Sequence, residues 1–151
     1  MRIIGMLGGM SWVSTAGYYA CLNRLASERM GGLHSARILL HSVDFAPITQ
    51  MQKAGDWDAA GQVLADAARG LEAAGAGVMM IAANTMHIVA DQVRDATALP
   101  FIHIADATAD AIAAAGLKRP GLIATAFTME MPFYRDRLEA AGLAPVIPDA
   151  S

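Results

Sequence analysis

The chain has 151 residues, of which 55% are hydrophobic and 17% charged, and its formal net charge is -3. A chain of this length can bury roughly 68–70% of its unfolded surface, which supports one ordinary domain. The charged residues form no run of one sign, which argues against nucleic-acid binding, and a single cysteine excludes an internal disulfide and fits a reducing compartment. No segment approaches the roughly 20 apolar residues that span a bilayer, so we expect a cytoplasmic protein without membrane association.

The hydrophobic pattern predicts strands that alternate with helices. Residues 2–7 form a short apolar run that ends at Gly8-Gly9, which is typical of a buried strand followed by a tight turn. Ser11 or Ser14 can cap the next helix, which we expect to extend to about Arg29. A second strand is predicted at 37–43 and is followed by a turn around Pro47.

An alanine-rich helix is predicted at 58–74, with four residues facing inward: Val63, Leu64, Ala67 and Leu71. The later predicted elements are a strand at 77–81, a helix at 85–96, a strand at 100–104, a helix at 106–115, a strand at 120–125, a helix at 129–141 and the start of a sixth strand at 144–148. Strands that are apolar on both faces and alternate with helices predict an α/β fold with a parallel, doubly wound sheet.

Polar side chains follow two of the predicted strands. Asn84 and Thr85 come after the strand at 77–81, where a helix begins, and Thr125 and Thr128 follow the strand at 120–125. Open α/β sheets bind ligands at the carboxyl ends of their strands. An amide, a hydroxyl and free helix N–H groups together suit a carboxylate. A simple helix cap at Asn84 or Thr85 explains that pair equally well.

The first strand ends in MLGGMS, residues 6–11. Glycines at a strand-to-helix turn let the backbone approach a ligand, and the following helix start favours an anion. The pattern is neither GxGxxG nor a P-loop with its lysine, which argues against a nucleotide site. A tight turn that serves packing alone remains an equal alternative.

Cys21, the one cysteine, lies on an apolar helical face and is predicted to be a core residue rather than a nucleophile. Of the histidines, His34 and His41 read as loop and strand-surface residues, and His103 as packed within a strand. His87 follows the helix start near the predicted site, where it either positions a ligand or faces solvent. No pair has the spacing of metal ligands, so no metal site is predicted.

Five motifs together resemble the cofactor-independent aspartate/glutamate racemases, over the amino-terminal part of such a protein. They are MLGGMSW (6–12), GGLHSARILLHSVDF (31–45), NTMH (84–87), LPFIHIADAT (99–108) and AFTMEMPFYRDRL (126–138). The resemblance implies a racemase that needs no pyridoxal phosphate or other cofactor and is built from two similar α/β lobes. Residues 1–98 would form the first lobe and residues 99–151 the incomplete start of the second.

The resemblance also implies the chemistry. Family members use two cysteines, one from each lobe, to remove an α-proton and return it on the opposite face. Amides and hydroxyls hold the substrate carboxylate. Carried over by residue, the carboxylate-binding positions are Asn84, Thr85, Thr125 and Thr128, the first-loop positions are Met10 and Ser11, and Gln52 is a polar residue that reaches the site.

The chain departs from the family at the catalytic positions. The first, immediately before Asn84-Thr85, is Ala83, the second belongs to a later strand, and Cys21 matches neither. We therefore expect a truncated or degenerate racemase, an isomerase by resemblance that is weakly active or inactive alone. It would bind a small amino acid or dicarboxylate and form a homo-oligomer. The alternatives are a non-catalytic carboxylate-binding module, or a fragment of a one-cysteine superfamily member such as a decarboxylase.

Overall fold

The computed structural model describes residues 1–148, and the chain divides into two compact units, the first at Met1–Phe101 and the second from Ile102 onward. The last three residues of the predicted second lobe, 149–151, lie outside the described part. Within residues 1–148, no helix has the length and apolar character needed to cross a bilayer.

The first unit is built on a parallel sheet. Its elements are β1 (Ile4–Gly8), α1 (Trp12–Met30), β2 (Ile38–Ser42), α2 (Phe45–Ala54), α3 (Trp57–Ala73), β3 (Val78–Ile81), a 3-10 helix (Thr85–Val89), α4 (Ala90–Asp95) and β4 (Phe101–Ile102). The strand order is β2-β1-β3-β4, and β1 pairs in parallel with both β2 and β3. The predicted α/β fold with a parallel sheet is confirmed.

The core of this unit lies between the sheet and α3. Leu64, Ala67 and Leu71 of α3 are buried against strand residues such as Leu7 and Ile81. Small alanines on the same helix face let α3 approach the sheet closely. The prediction for Val63 is wrong, because this side chain precedes Leu64 by one position and is rotated about 100° off the buried stripe.

The second unit contains α5 (Ile104–Ala114), α6 (Ala126–Glu130) and α7 (Pro132–Ala140). Its core consists of Ala105, Ala109, Tyr134, Leu138 and Leu143. The strands predicted at 120–125 and 144–148 are wrong, because the two segments meet only in an isolated parallel bridge between Gly121 and Val146. Prolines at both segments remove backbone donors, which limits a ladder to a few bonds.

The region around Pro47 is helical and not the predicted turn. Asp44 caps α2 by accepting a hydrogen bond from the backbone N–H of Ala46 at 3.1 Å. Pro47 is the third residue of the helix, in the first turn, where a missing N–H costs no internal bond. The helix ends at Gly55, which adopts the left-handed conformation.

Three further predictions differ from the structure. Cys21 is exposed, because the buried side of α1 runs through Thr15 and Ala26. The fourth strand is shorter than predicted, and His103, although buried, is the N-cap of α5 and accepts a hydrogen bond from the Ala105 N–H. The helix predicted at 129–141 is two helices, which meet at Met131 before Pro132.

Candidate functional site

Two neighbouring strands bring the predicted binding residues of the first unit to one edge of the sheet. Leu7 of β1 pairs with Ile81 of β3, and the ladder ends where the Ala82 N–H donates to the Leu7 carbonyl at 2.8 Å. Because parallel strands run in the same direction, the loops that follow β1 and β3 emerge at the same carboxyl edge. These loops carry Met10, Ser11, Ala83, Asn84 and Thr85.

The loop after β1 is held by hydroxyl groups of α1. The Thr15 hydroxyl accepts from the Gly9 N–H at 2.9 Å and donates to the Ser11 carbonyl at 3.0 Å. Ser11 caps α1, and its Oγ accepts from the Val13 N–H at 3.1 Å. Of the two serines considered as caps, Ser11 is the one that caps. Met10 packs into the hydrophobic core, so only its backbone is available to a ligand.

The loop after β3 carries the position where the family resemblance places a catalytic cysteine. Ala83 is 7% exposed, and its side chain is a methyl group. Asn84 is exposed and its side chain makes no capping hydrogen bond, while Thr85 begins the 3-10 helix and is half-buried. The Asn84 amide therefore remains available to a ligand at this edge.

His87 does not face solvent, which was one of its two predicted roles, because it is only 2% exposed. Its Nδ1 lies 2.7 Å from the Ala83 carbonyl oxygen and 3.2 Å from that of Asn84. A carbonyl oxygen only accepts, so the imidazole must carry its proton on Nδ1 to make these bonds. The spacing of four residues between Ala83 and His87 is the signal that could have indicated this contact.

Gln52 reaches the same edge from α2. Its half-buried side chain donates from Nε2 to Met86 Sδ at 3.0 Å, and Met86 directly follows Thr85. Gln52 therefore contacts the 3-10 helix that follows the loop after β3, and its predicted role in the site stays a prediction.

The second unit brings Thr125 and Thr128 together. Thr125 precedes α6, Thr128 is 1% exposed, and their Oγ1 atoms lie 3.3 Å apart. The Thr125 carbonyl also accepts from the Thr128 N–H at 2.9 Å. The pair forms a small hydroxyl cluster, and within residues 1–148 only the isolated bridge at Gly121, not a strand, comes shortly before it.

The residues that meet at the sheet edge of the first unit are neutral. They offer amide, hydroxyl and backbone donors, which bind a carboxylate without a formal positive charge. Within residues 1–148, no group of three His, Cys, Asp or Glu side chains is arranged to hold a metal ion. The Ala83 methyl has no ionisable proton, so this arrangement can hold an acid but has no thiol at Ala83 to move its α-proton.

Comparison with known proteins gives one family and several similar structures. Residues 7–151 match the sequence model of the Asp/Glu/hydantoin racemase family. A crystal structure of a candidate Asp/Glu racemase from Yersinia pestis superimposes with a TM-score of 0.94 at 50% identity, with 99% of this chain and 65% of that chain covered. An aspartate racemase homologue from Pyrococcus horikoshii superimposes with a TM-score of 0.89 at 33% identity, and 99% and 65% of the two chains are covered.

An aspartate racemase from Picrophilus torridus shares the fold, with a TM-score of 0.80 at 22% identity and coverage of 99% of this chain and 63% of that one. The present chain therefore spans slightly less than two thirds of the length of each of these relatives.

Proposed function

Because the chain belongs to the Asp/Glu/hydantoin racemase family, we propose that it binds a small amino acid or dicarboxylate at the carboxyl edge of the first unit's sheet. Alone, this chain racemises its ligand weakly or not at all. The ligand carboxylate meets the Asn84 amide, the Thr85 hydroxyl and the backbone of the loop after β1. Thr125 and Thr128 are proposed as further carboxylate-binding residues, by resemblance.

The observation that carries the proposal is the methyl side chain of Ala83, at the position where the resemblance implies a thiol. Racemisation without a cofactor removes a proton from one face of the α-carbon and delivers one to the other, so it needs two acid/base groups. By resemblance, one of these groups is a thiol at the position immediately before Asn84-Thr85, where this chain has a buried methyl group. The one cysteine of the sequence, Cys21, is exposed on α1.

Carboxylate binding does not depend on that thiol. Hydrogen bonds to a charged acceptor are each worth roughly 1.5–3 kcal/mol, so a few neutral donors suffice for a weak site. Asn84 offers an exposed amide that is not used as a helix cap. Retained donors and a lost acid/base group together favour a binding protein of the racemase family over an active racemase.

Calorimetric titration of the purified chain with L- and D-aspartate, L- and D-glutamate and succinate tests this proposal. We expect heat with at least one of them, and Asn84→Ala or Thr85→Val should weaken that binding by roughly tenfold. Gln50→Ala, which removes an exposed amide from α2, should leave the affinity unchanged. No heat with any ligand, or equal weakening by Gln50→Ala, contradicts the proposal.

We also propose that the chain forms a homo-oligomer and works in the cytoplasm without nucleic acid. Support for self-association comes from the sheet, where β2 is an edge strand with Leu40 exposed, and from α1, where Trp12 is 72% exposed beside Val13. Open edges and apolar surface favour association. Light scattering should give a mass of at least two chains, and a monodisperse monomer contradicts it.

A further inference from the structure

Ser14 joins the two loops of the candidate site. Its hydroxyl, in the first turn of α1, lies 3.0 Å from the Ala82 carbonyl oxygen, across 68 residues of sequence, and 2.9 Å from the carbonyl oxygen of the helix cap Ser11. Ala82 is fully buried and directly precedes Ala83 and Asn84. The contact thus lies at the end of β3, directly before the segment 83–85, which we call the carboxylate receptor.

The backbone ladder between β1 and β3 ends at the same place. The Ala82 N–H still donates to the Leu7 carbonyl, but its carbonyl points to α1 and accepts from the Ser14 side chain. A serine within a helix commonly donates to a carbonyl three or four residues earlier, which the Ser11 contact satisfies. The Ala82 contact is different, because it connects the start of α1 with the residue that follows β3, two segments 68 residues apart in the sequence.

A hydroxyl has a single proton, so Ser14 shares it between the Ser11 and Ala82 carbonyls or alternates between them. Whenever the proton lies toward Ala82, it ties the loop after β3 to the first turn of α1. Ser27 on the same helix makes a comparable bond, from its Oγ to the Gly32 carbonyl at 3.2 Å, but this one is local to the far end of α1. Of these two serine bonds, the one from Ser14 reaches the candidate site.

We infer that Ser14 is a positioning residue for the carboxylate receptor. It holds the Ala82 peptide against the start of α1 and so sets where the Ala83, Asn84 and Thr85 backbone lies relative to Ser11. Its effect on a ligand rests on the proposed function, whereas its effect on the loop does not. Ser14 does not touch the ligand, and its influence passes through the Ala82 carbonyl.

The first measurement compares Ser14→Ala with the matched variant Ser27→Ala by backbone amide NMR. Ser14→Ala should shift the amide resonances of Ala83, Asn84 and Thr85, and the Ala82 amide should exchange with solvent about fivefold faster. Ser27→Ala should leave these signals unchanged. Ser14→Thr keeps the hydroxyl and should restore the wild-type spectrum, which a role in helix packing alone would not require.

The second measurement titrates the same variants with the best ligand found for the wild-type chain. Ser14→Ala should weaken binding about fivefold, with Ser27→Ala and Ser14→Thr close to wild type. Unchanged resonances at 83–85 in Ser14→Ala, or unchanged affinity, overturn the inference. If the wild-type chain binds none of the ligands, the proposed function fails, and the amide resonances and the Ala82 exchange rate alone decide whether Ser14 positions the loop.

Discussion

The Nδ1 atom of His87 lies 2.7 Å from the carbonyl oxygen of Ala83, four residues earlier in the chain. His87 therefore contacts the backbone of the residue where the family resemblance places a catalytic thiol. Its imidazole also packs against Phe101, with the ring centroids 6.1 Å apart. The backbone that would present an acid/base group is held in place even though Ala83 carries only a methyl. The His87 contact therefore orders the loop backbone at position 83 whichever side chain that position carries.

Replacing His87 tests how much this contact contributes to stability. His87→Phe fills the space but removes the donor, so the Ala83 carbonyl is left without that bond, and we expect a loss of about 1–3 kcal/mol of unfolding free energy. His41→Phe, on the exposed part of β2, should change stability by less than about 0.5 kcal/mol. Denaturant unfolding measures both, and equal effects would argue against a specific role for His87.

Replacement of Gly9 and of Gly17 by alanine should change the free energy of unfolding in opposite directions. Gly9 has φ +94°, and an added Cβ would overlap the backbone of Val43. Gly9→Ala should therefore cost more than about 2 kcal/mol. Gly17 lies within α1 with open space around it, so Gly17→Ala should raise stability by about 0.5–1 kcal/mol. Thermal unfolding of the two variants checks both signs, and a neutral Gly9→Ala would contradict the described loop.

Gln52 and Gln50 form a matched pair on α2. Gln52 contacts Met86, next to Thr85, whereas Gln50 is exposed. Gln52→Ala should weaken ligand binding about fivefold because it releases the 3-10 helix that begins at Thr85. Gln50→Ala should bind like wild type. Calorimetry distinguishes them, and identical affinities for the two variants would remove Gln52 from the site.

Placing a thiol at position 83 should supply one of the two acid/base groups that the family resemblance implies. Ala83→Cys provides one acid/base group, so the α-proton of one aspartate enantiomer should exchange with deuterium while its configuration is retained. Cys21→Ser in the same background should leave this exchange unchanged, because Cys21 is exposed on α1. Proton NMR in deuterated water records the exchange. A variant that binds aspartate but exchanges nothing would show that the loop does not aim residue 83 at the α-carbon.

The sequence predicted the sheet of the first unit better than the second unit. Continuous apolar runs such as the one ending at Ile81 indicated buried parallel strands, and Ser11, one of the two serines considered as caps, marks a helix start that the structure contains. The helix at α2 was missed because Pro47 reads as a turn residue, although a first helical turn tolerates it. In the second unit, prolines interrupt the apolar segments, and local pattern alone does not reveal how few ladder bonds remain.

The predicted site residues were found from strand ends and from family resemblance, and the structure places five of them in the loops after β1 and β3. That these residues lie at one edge could be predicted from their positions after two strands, because the loops that follow parallel strands lie at the same edge of the sheet. The contacts of His87 and Ser14 were not predicted, although the four-residue spacing from Ala83 to His87 is compatible with the first of them. Their roles depend on which carbonyl each side chain meets, and the Ser14 contact spans 68 residues that no local pattern connects.

Proton NMR of L-aspartate and D-aspartate with the wild-type chain in deuterated water separates ligand binding from removal of the α-proton. Saturation transfer from protein to ligand reports binding, and the intensity of the α-proton signal reports exchange in the same sample. We predict saturation transfer together with an α-proton signal that persists over hours, because the methyl side chain of Ala83 cannot remove the α-proton of the ligand. Loss of the α-proton signal, or interconversion of the two enantiomers by the wild-type chain, would contradict the account.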